Sequence, residues 1–189
     1  MRLTSDHFTL PKEGETENGD AVIMRELPDG ALFAVIDALG HGPNAATVAR
    51  AATSHLLEAP LEQGIERIVA GLHERLRGSR GAAAMLCLFR DDGHIDGCGV
   101  GNVEFRSQGT RVSSVLTAGI LGGTMKRPRV FEAMLRPGDR VVIFSDGISS
   151  RLDLEASRAQ PPSEACRAIM RHNRRSYDDS TVLVVDLEV

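Results

Sequence analysis

From Ala82 to Phe144 the sequence offers one strand-like run after another and no helical periodicity, which limits the fold more than any other feature. The runs are Ala82 to Phe89, Ile95 to Val100, Glu104 to Ser107, Arg111 to Leu116, Val130 to Leu135 and Arg140 to Phe144. Turn signals such as Asp91-Asp92-Gly93 and Pro137-Gly138-Asp139 separate them. Parallel neighbours need a crossover of many residues, usually a helix, between one strand and the next. A doubly wound parallel sheet therefore fits poorly, and a meander of antiparallel pairs is predicted.

The rest of the chain supplies the helices. Ala21 to Glu26 and Ala31 to Asp37 flank Pro28-Asp29-Gly30 and read as a hairpin. A helix opens near Pro43 and runs to about Leu57, with Ala45, Ala46, Ala49 and Ala52 forming a small-residue face that can lie close to a sheet. Beyond Pro60, Leu61, Ile65, Ile68, Val69, Leu72 and Leu76 recur at amphipathic helical spacing. After the last strand of the central stretch, a helix from Pro161 to about His172 precedes a final strand, Thr181 to Leu187. The fold class is α+β, with two mainly antiparallel sheets face to face and helices outside. With 42% hydrophobic residues, all 189 residues are expected to form a single domain around one core.

Three short acidic motifs each follow or precede a strand: Asp37-Ala38-Leu39-Gly40-His41-Gly42, Ser145-Asp146-Gly147 and Asp178-Asp179-Ser180-Thr181. A single Asp beside Gly is ordinarily a turn or a helix cap. Several carboxylates converging on one point repel one another unless a cation sits between them. Asp20, Asp37, Asp146 and the Asp178/Asp179 pair offer oxygen ligands that suit magnesium or manganese, and the His and Cys spacings of a zinc site are missing. Two such ions sharing an aspartate, for which Asp37 is the candidate, lower the pKa of a water between them and neutralise charge on a phosphoryl group.

A net charge of −4, with a single basic cluster at Arg171, His172, Arg174 and Arg175, argues against a nucleic-acid partner. That cluster is expected to be the solvated end of the last helix. Met1 to Asp20 carries five acidic residues and no apolar core, and no apolar run is long enough to span a bilayer, so a cytoplasmic protein with no membrane partner is expected. The three cysteines support neither a disulfide framework nor a metal site, and Cys87 and Cys98 read as core residues.

Asn18-Gly19-Asp20, the Asp37 to Gly42 motif, Ser145-Asp146-Gly147-Ile148 and Asp178-Asp179-Ser180-Thr181 together resemble the metal-dependent PPM-type serine/threonine phosphatases. The likeness runs from about Asp6 to Val189. It is nearest the compact bacterial sporulation and stress-response branch, and within that branch the small feedback phosphatases of the stressosome.

The resemblance implies a four-layer αββα sandwich with a Mn²⁺ or Mg²⁺ pair at one end, a third ion being allowed. It makes Asp37 the bridge, with the Ala38 carbonyl completing one ion, Asp146 and Asp178 on the other, and Asp20 acting directly or through water. Asp37 and Asp146 are the catalytic candidates, and Asp179 is expected to hold its loop by hydrogen bonds. The implied reaction is hydrolysis of phosphoserine or phosphothreonine on a STAS-domain regulator in a partner-switching pathway, by a monomer. Two alternatives stay open: a catalytically silent binding module of the same fold, and a hydrolase of small phosphate esters.

Three departures accompany the likeness. His41 stands four residues after Asp37, where eukaryotic members place a histidine two residues after, so a turn-stabilising role is an equal reading. No arginine lies just upstream of Asp20 to grip phosphate. The flap of larger members is missing, which leaves Met125 to Arg129, with three basic residues, as the candidate contact for a phosphorylated partner.

Overall fold

The computed structural model describes residues 1–189. Nine strands and three α-helices follow in the order β1 (Arg2–Leu10), β2 (Asp20–Leu27), β3 (Gly30–Ala38), α1 (Gly42–Glu58), α2 (Ile65–Arg75), β4 (Ala82–Arg90), β5 (His94–Val100), β6 (Glu104–Gln108), β7 (Val130–Met134), β8 (Arg140–Phe144), α3 (Pro162–Asn173) and β9 (Ser180–Glu188). One sheet has the order β1-β9-β8-β6 and the other β2-β3-β4-β5-β7. Every ladder is antiparallel.

The central strands β3, β4, β8 and β9 read as nearly continuous apolar runs because they are covered on both faces. Along β3, Ala31, Phe33 and Val35 face the layer between the sheets, while Leu32, Ala34 and Ile36 face the helices. The inner layer joins these to Met85, Cys87 and Phe89 of β4 and to Val141, Ile143, Leu183 and Val185 of the other sheet. Phe33 and Phe89 meet edge to face there, centroids 5.3 Å apart. On one outer side, Ala45, Ala49 and Ala52 bring α1 close to its sheet, and Ile68, Val69 and Leu72 of α2 complete that layer. On the other, Ala165, Cys166, Ile169 and Met170 of α3 cover Val142, Phe144, Val182 and Val184. The result is the expected four-layer αββα sandwich.

Three expectations need correction. The segment Arg2–Leu10, left without structure by the sequence reading, is an edge strand paired with β9 alone; its residues are almost all half-buried, so neither face carries a clear apolar stripe. The stretch Arg111 to Leu116 forms no strand. Its Val112 and Leu116 pack on the inner layer, which accounts for the misleading alternation. The predicted meander is also divided: β5 pairs with β7, whereas β6 crosses to the other sheet and pairs with β8. That crossing takes place at Gly101-Asn102, beside the acidic end of the sandwich.

Candidate metal centre

Antiparallel pairing sets Asp20, at the start of β2, directly opposite Asp37, near the end of β3. Like charges facing across a ladder are destabilising. Both residues are on the face of their sheet that looks into the inter-sheet layer, at its open end. From the other sheet, β8 ends at Phe144 and delivers Asp146, and β9 begins at Ser180 directly after Asp178 and Asp179. Asp37, Asp146 and Asp178 line one cleft of about 480 Å³, together with Leu39, Gly40, His41, Asn102, Ile120 and Tyr177.

Ser145 fastens the two sheets at this end. Its hydroxyl donates to Asp20 Oδ2 at 2.6 Å and accepts from the Thr181 N–H at 3.0 Å, while its own N–H reaches the Thr181 carbonyl at 3.1 Å. Gly147 allows the closest approach: a Cβ there would collide with the carbonyl oxygen of Asp179. Asp146 accepts from Asn102 Nδ2 at 2.7 Å, and Arg175 donates to the Asp146 carbonyl at 2.9 Å. Asp179 accepts from the N–H groups of Lys12 at 2.7 Å and Gly19 at 2.8 Å, so it holds two loops, as the sequence reading expected. Ala38 is fully buried, its N–H donating to the Gly19 carbonyl.

The electrostatics show how poorly these acids compensate one another. Burial first, then Asp20, Asp146, Asp178 and Asp179, push Asp37 up to about 8. Asp20 is pushed up to about 7 by burial, against hydrogen bonds from Ser145 and Thr181, and its Oδ1 is buried with no partner. Asp146 is also raised, by burial and then by Asp178, with Arg175 and Asn102 opposing. Buried carboxylates held this way are stabilised by a cation and by little else. An all-oxygen donor set with one orphaned oxygen fits a hard divalent ion.

A different group has its ligand atoms within 4.8 Å of one another: His94, Asp96 and Glu132. It lies at the far end of β5 from Gly101, away from the cleft, and the cleft carboxylates form no group so tight.

Four residues at the site escaped the sequence reading. Asn102 lies at the turn after β5, outside the acidic motifs, and Arg175, expected in a solvated cluster, is instead tied to the Asp146 and Gly147 carbonyls. Tyr177 stands 67% exposed on the cleft rim. Arg80 has its Nη1 2.8 Å from where a Cβ on Gly40 would lie. His41, which also lines the cleft, bonds Glu15 through Nδ1 at 2.8 Å and Lys12 through Nε2 at 2.9 Å, tying its turn to the segment between β1 and β2. Arg127, in the expected partner-contact segment, pairs with Glu66 of α2 instead of facing the cleft.

The model of the Stage II sporulation protein E (SpoIIE) family matches residues 28–188. The chain belongs to the SpoIIE family of PPM-type phosphatases. A solved structure described as "The bacterial stressosome: a modular system that has been adapted to control secondary messenger signaling" contains a chain 31% identical to this SpoIIE-family protein. The match has a TM-score of 0.91 and covers 98% of this chain and 100% of that one. RsbX in complex with magnesium has the same fold at 23% identity and a TM-score of 0.86, over 98% and 96% of the two chains. The PP2C phosphatase domain of SpoIIE from Bacillus subtilis, solved with a fragment of its regulatory domain, follows at 21% identity and a TM-score of 0.80, over 99% of this chain and 63% of that one. No curated protein sequence matches significantly. No helix of this family member is long and apolar enough to cross a membrane.

Proposed function

We propose that this protein is a Mn²⁺- or Mg²⁺-dependent phosphatase that removes phosphate from serine or threonine of a regulatory protein. The observation that carries the reading is the gathering of Asp37, Asp146 and Asp178 from both sheets at one cleft, with Asp20 buried opposite Asp37 in the ladder, Asp37 pushed up to about 8 and Asp20 Oδ1 unpartnered. Asp37, Asp146, Asp178 and the Ala38 carbonyl would hold the ions, with Asp20 acting directly or through water. The spread of these carboxylates around the cleft suits ligands divided between two ions. RsbX, of the same fold, was solved with magnesium, which supports the choice of a hard cation.

Bound there, a divalent pair supplies Lewis acidity toward a phosphoryl oxygen and acidifies water at neutral pH. The chain's own residues do the rest. Asn102 fixes the rotamer of Asp146, Ser145 that of Asp20, and the Gly147 turn keeps Asp178 against the cleft. The exposed rim, with Leu39 and Tyr177, suits a phosphorylated segment on a protein surface better than a small ester needing enclosure.

The likeness to a stressosome structure supports a signalling regulator as the substrate class, with a STAS-domain protein in a bacterial partner-switching pathway as the specific choice. A single-domain, monomeric enzyme acting in the cytoplasm completes the proposal. The test is hydrolysis of a phosphoserine peptide with Mn²⁺ or EDTA by the parent, Asp37→Asn and Asp146→Asn proteins. Metal-dependent turnover in the parent alone is expected. Equal turnover in all three overturns the assignment, and a parent that binds Mn²⁺ calorimetrically without turnover leaves the silent binding module.

A further inference from the structure

A cleft floored by aspartates repels a phosphate approaching from solvent, and any cation that receives it must be free of other acceptors. Most basic groups nearby are engaged. Lys12 Nζ lies 2.9 Å from His41 Nε2, Arg175 donates to the Asp146 carbonyl, Arg174 to the Pro11 carbonyl, and Arg50 pairs with Glu17. Arg80 is exposed and makes neither an ion pair nor a side-chain hydrogen bond.

The loop that carries it is nevertheless fixed. Arg80 sits in the loop between α2 and β4, and that loop is bonded to the cleft wall on both sides. The Leu39 N–H donates to the Gly81 carbonyl at 3.0 Å, and Ala82 exchanges hydrogen bonds with Leu121 at 3.1 and 2.9 Å. Leu39 and Ile120 are themselves cleft-lining residues. The guanidinium is laid over Gly40, whose missing side chain leaves it room: a Cβ on Gly40 would come within 2.8 Å of Arg80 Nη1. Gly40 also lines the cleft, three residues after Asp37.

We propose that Arg80 binds the substrate's phosphoryl group from the cleft rim, the contact for which the sequence upstream of Asp20 supplies no arginine. The inference rests on the phosphatase reading and adds a substrate-binding side chain to it. A guanidinium presents N–H groups in a planar fork that matches two phosphate oxygens at once, which a lysine ammonium does not.

The experiment compares the parent with Arg80→Gln, Arg80→Lys and, as a charge control on the same surface, Arg127→Gln. Steady-state kinetics on a phosphoserine peptide with Mn²⁺ give KM and kcat, inorganic phosphate gives an inhibition constant, and calorimetry gives Mn²⁺ affinity. Arg80→Gln is expected to raise KM and the phosphate inhibition constant together by about ten- to a hundred-fold, the worth of a charge-assisted bidentate contact. Arg80→Lys recovers part of the loss, Arg127→Gln stays within about twofold, and Mn²⁺ affinity is the same in all four. Parent-like KM and inhibition by phosphate in Arg80→Gln, or an equal loss in Arg127→Gln, overturns the proposal while leaving the phosphatase reading intact. A parent without turnover sinks that reading instead. Calorimetric titration of inorganic phosphate into the Mn²⁺-loaded proteins then decides Arg80 alone: tighter binding to the parent than to Arg80→Gln upholds the anion contact, and equal or no binding removes it.

Discussion

Replacing Asp37 by asparagine should stabilise the metal-free protein above neutral pH, an unusual sign for a change at a largely buried polar position. Burial and the neighbouring Asp20, Asp146, Asp178 and Asp179 raise Asp37 from 3.8 to about 8. The unfolded chain gives up this proton near its ordinary value, whereas the native protein keeps it until about 8. Between those limits the native state binds more protons than the unfolded state, so stability falls as pH rises. Each unit of difference is worth 1.36 kcal/mol, so the full span sets a ceiling of about 5–6 kcal/mol.

Asp20, itself pushed up to about 7, shares the same repulsion, and a cleft open to solvent lets the acids spread. About half the ceiling, roughly 2–3 kcal/mol, is the expected gain from the neutral isostere at about pH 8. For a chain of this length that is roughly 5–10 °C in melting midpoint. The assay is thermal unfolding by circular dichroism in EDTA, parent against Asp37→Asn, from about pH 4 to about pH 8. The gap should close toward about pH 4, where both side chains are neutral, and Mn²⁺ should reverse the ranking because it binds the native parent more tightly. An Asp37→Asn protein that melts at or below the parent at about pH 8 in EDTA, or gains equally at about pH 4, would refute the reasoning.

Three further substitutions test the scaffold. Ser145→Ala removes a buried hydroxyl that serves both Asp20 and the Thr181 N–H; urea unfolding should show a loss of about 1–3 kcal/mol. Gly147→Ala drives a methyl into the Asp179 carbonyl; calorimetry should show weakened Mn²⁺ binding, because the loop carrying Asp178 must shift. Arg140 joins Asp186 at 2.6 Å and the carbonyls of Ser157 and Gln160 at 2.7 and 2.6 Å. Arg140→Met, which strands a mostly buried Asp186, should cost about 2–4 kcal/mol in urea, and adding Asp186→Leu should recover most of it.

What could be read before the structure was whatever repeats along the chain. The β3, β4 and β9 runs are apolar on both faces, and α2 carries a regular stripe, so their existence and approximate ends were legible. The edge strand β1 was not, because a strand paired on one side and half-buried throughout leaves no strong pattern. Arg111 to Leu116 misled for the opposite reason: alternation reports which side chains are buried, not whether the backbone finds a partner. At the site, the aspartates were legible because they sit at strand ends beside glycine. Arg80, Asn102 and Arg175 were not, since each sits on a loop brought beside the acidic end by long-range bonds such as Leu39 N–H to the Gly81 carbonyl.

The placement of the acids also explains how a fold can tolerate them. Asp20 and Asp37 lie on the inward face of their sheet, one step beyond the last apolar layer, where Val35 and Ala83 give way to the cleft. Moved two residues inward along β3, a carboxylate would replace Val35, which is fully buried, and its desolvation would exceed what the inner layer supplies. Moved two residues outward, it would lose its register opposite Asp20 and its approach to Asp146. The inter-sheet core therefore holds the two strand ends in place while the acids repel, and hydrogen bonds from Ser145 and Thr181 tie Asp20 to the opposite sheet.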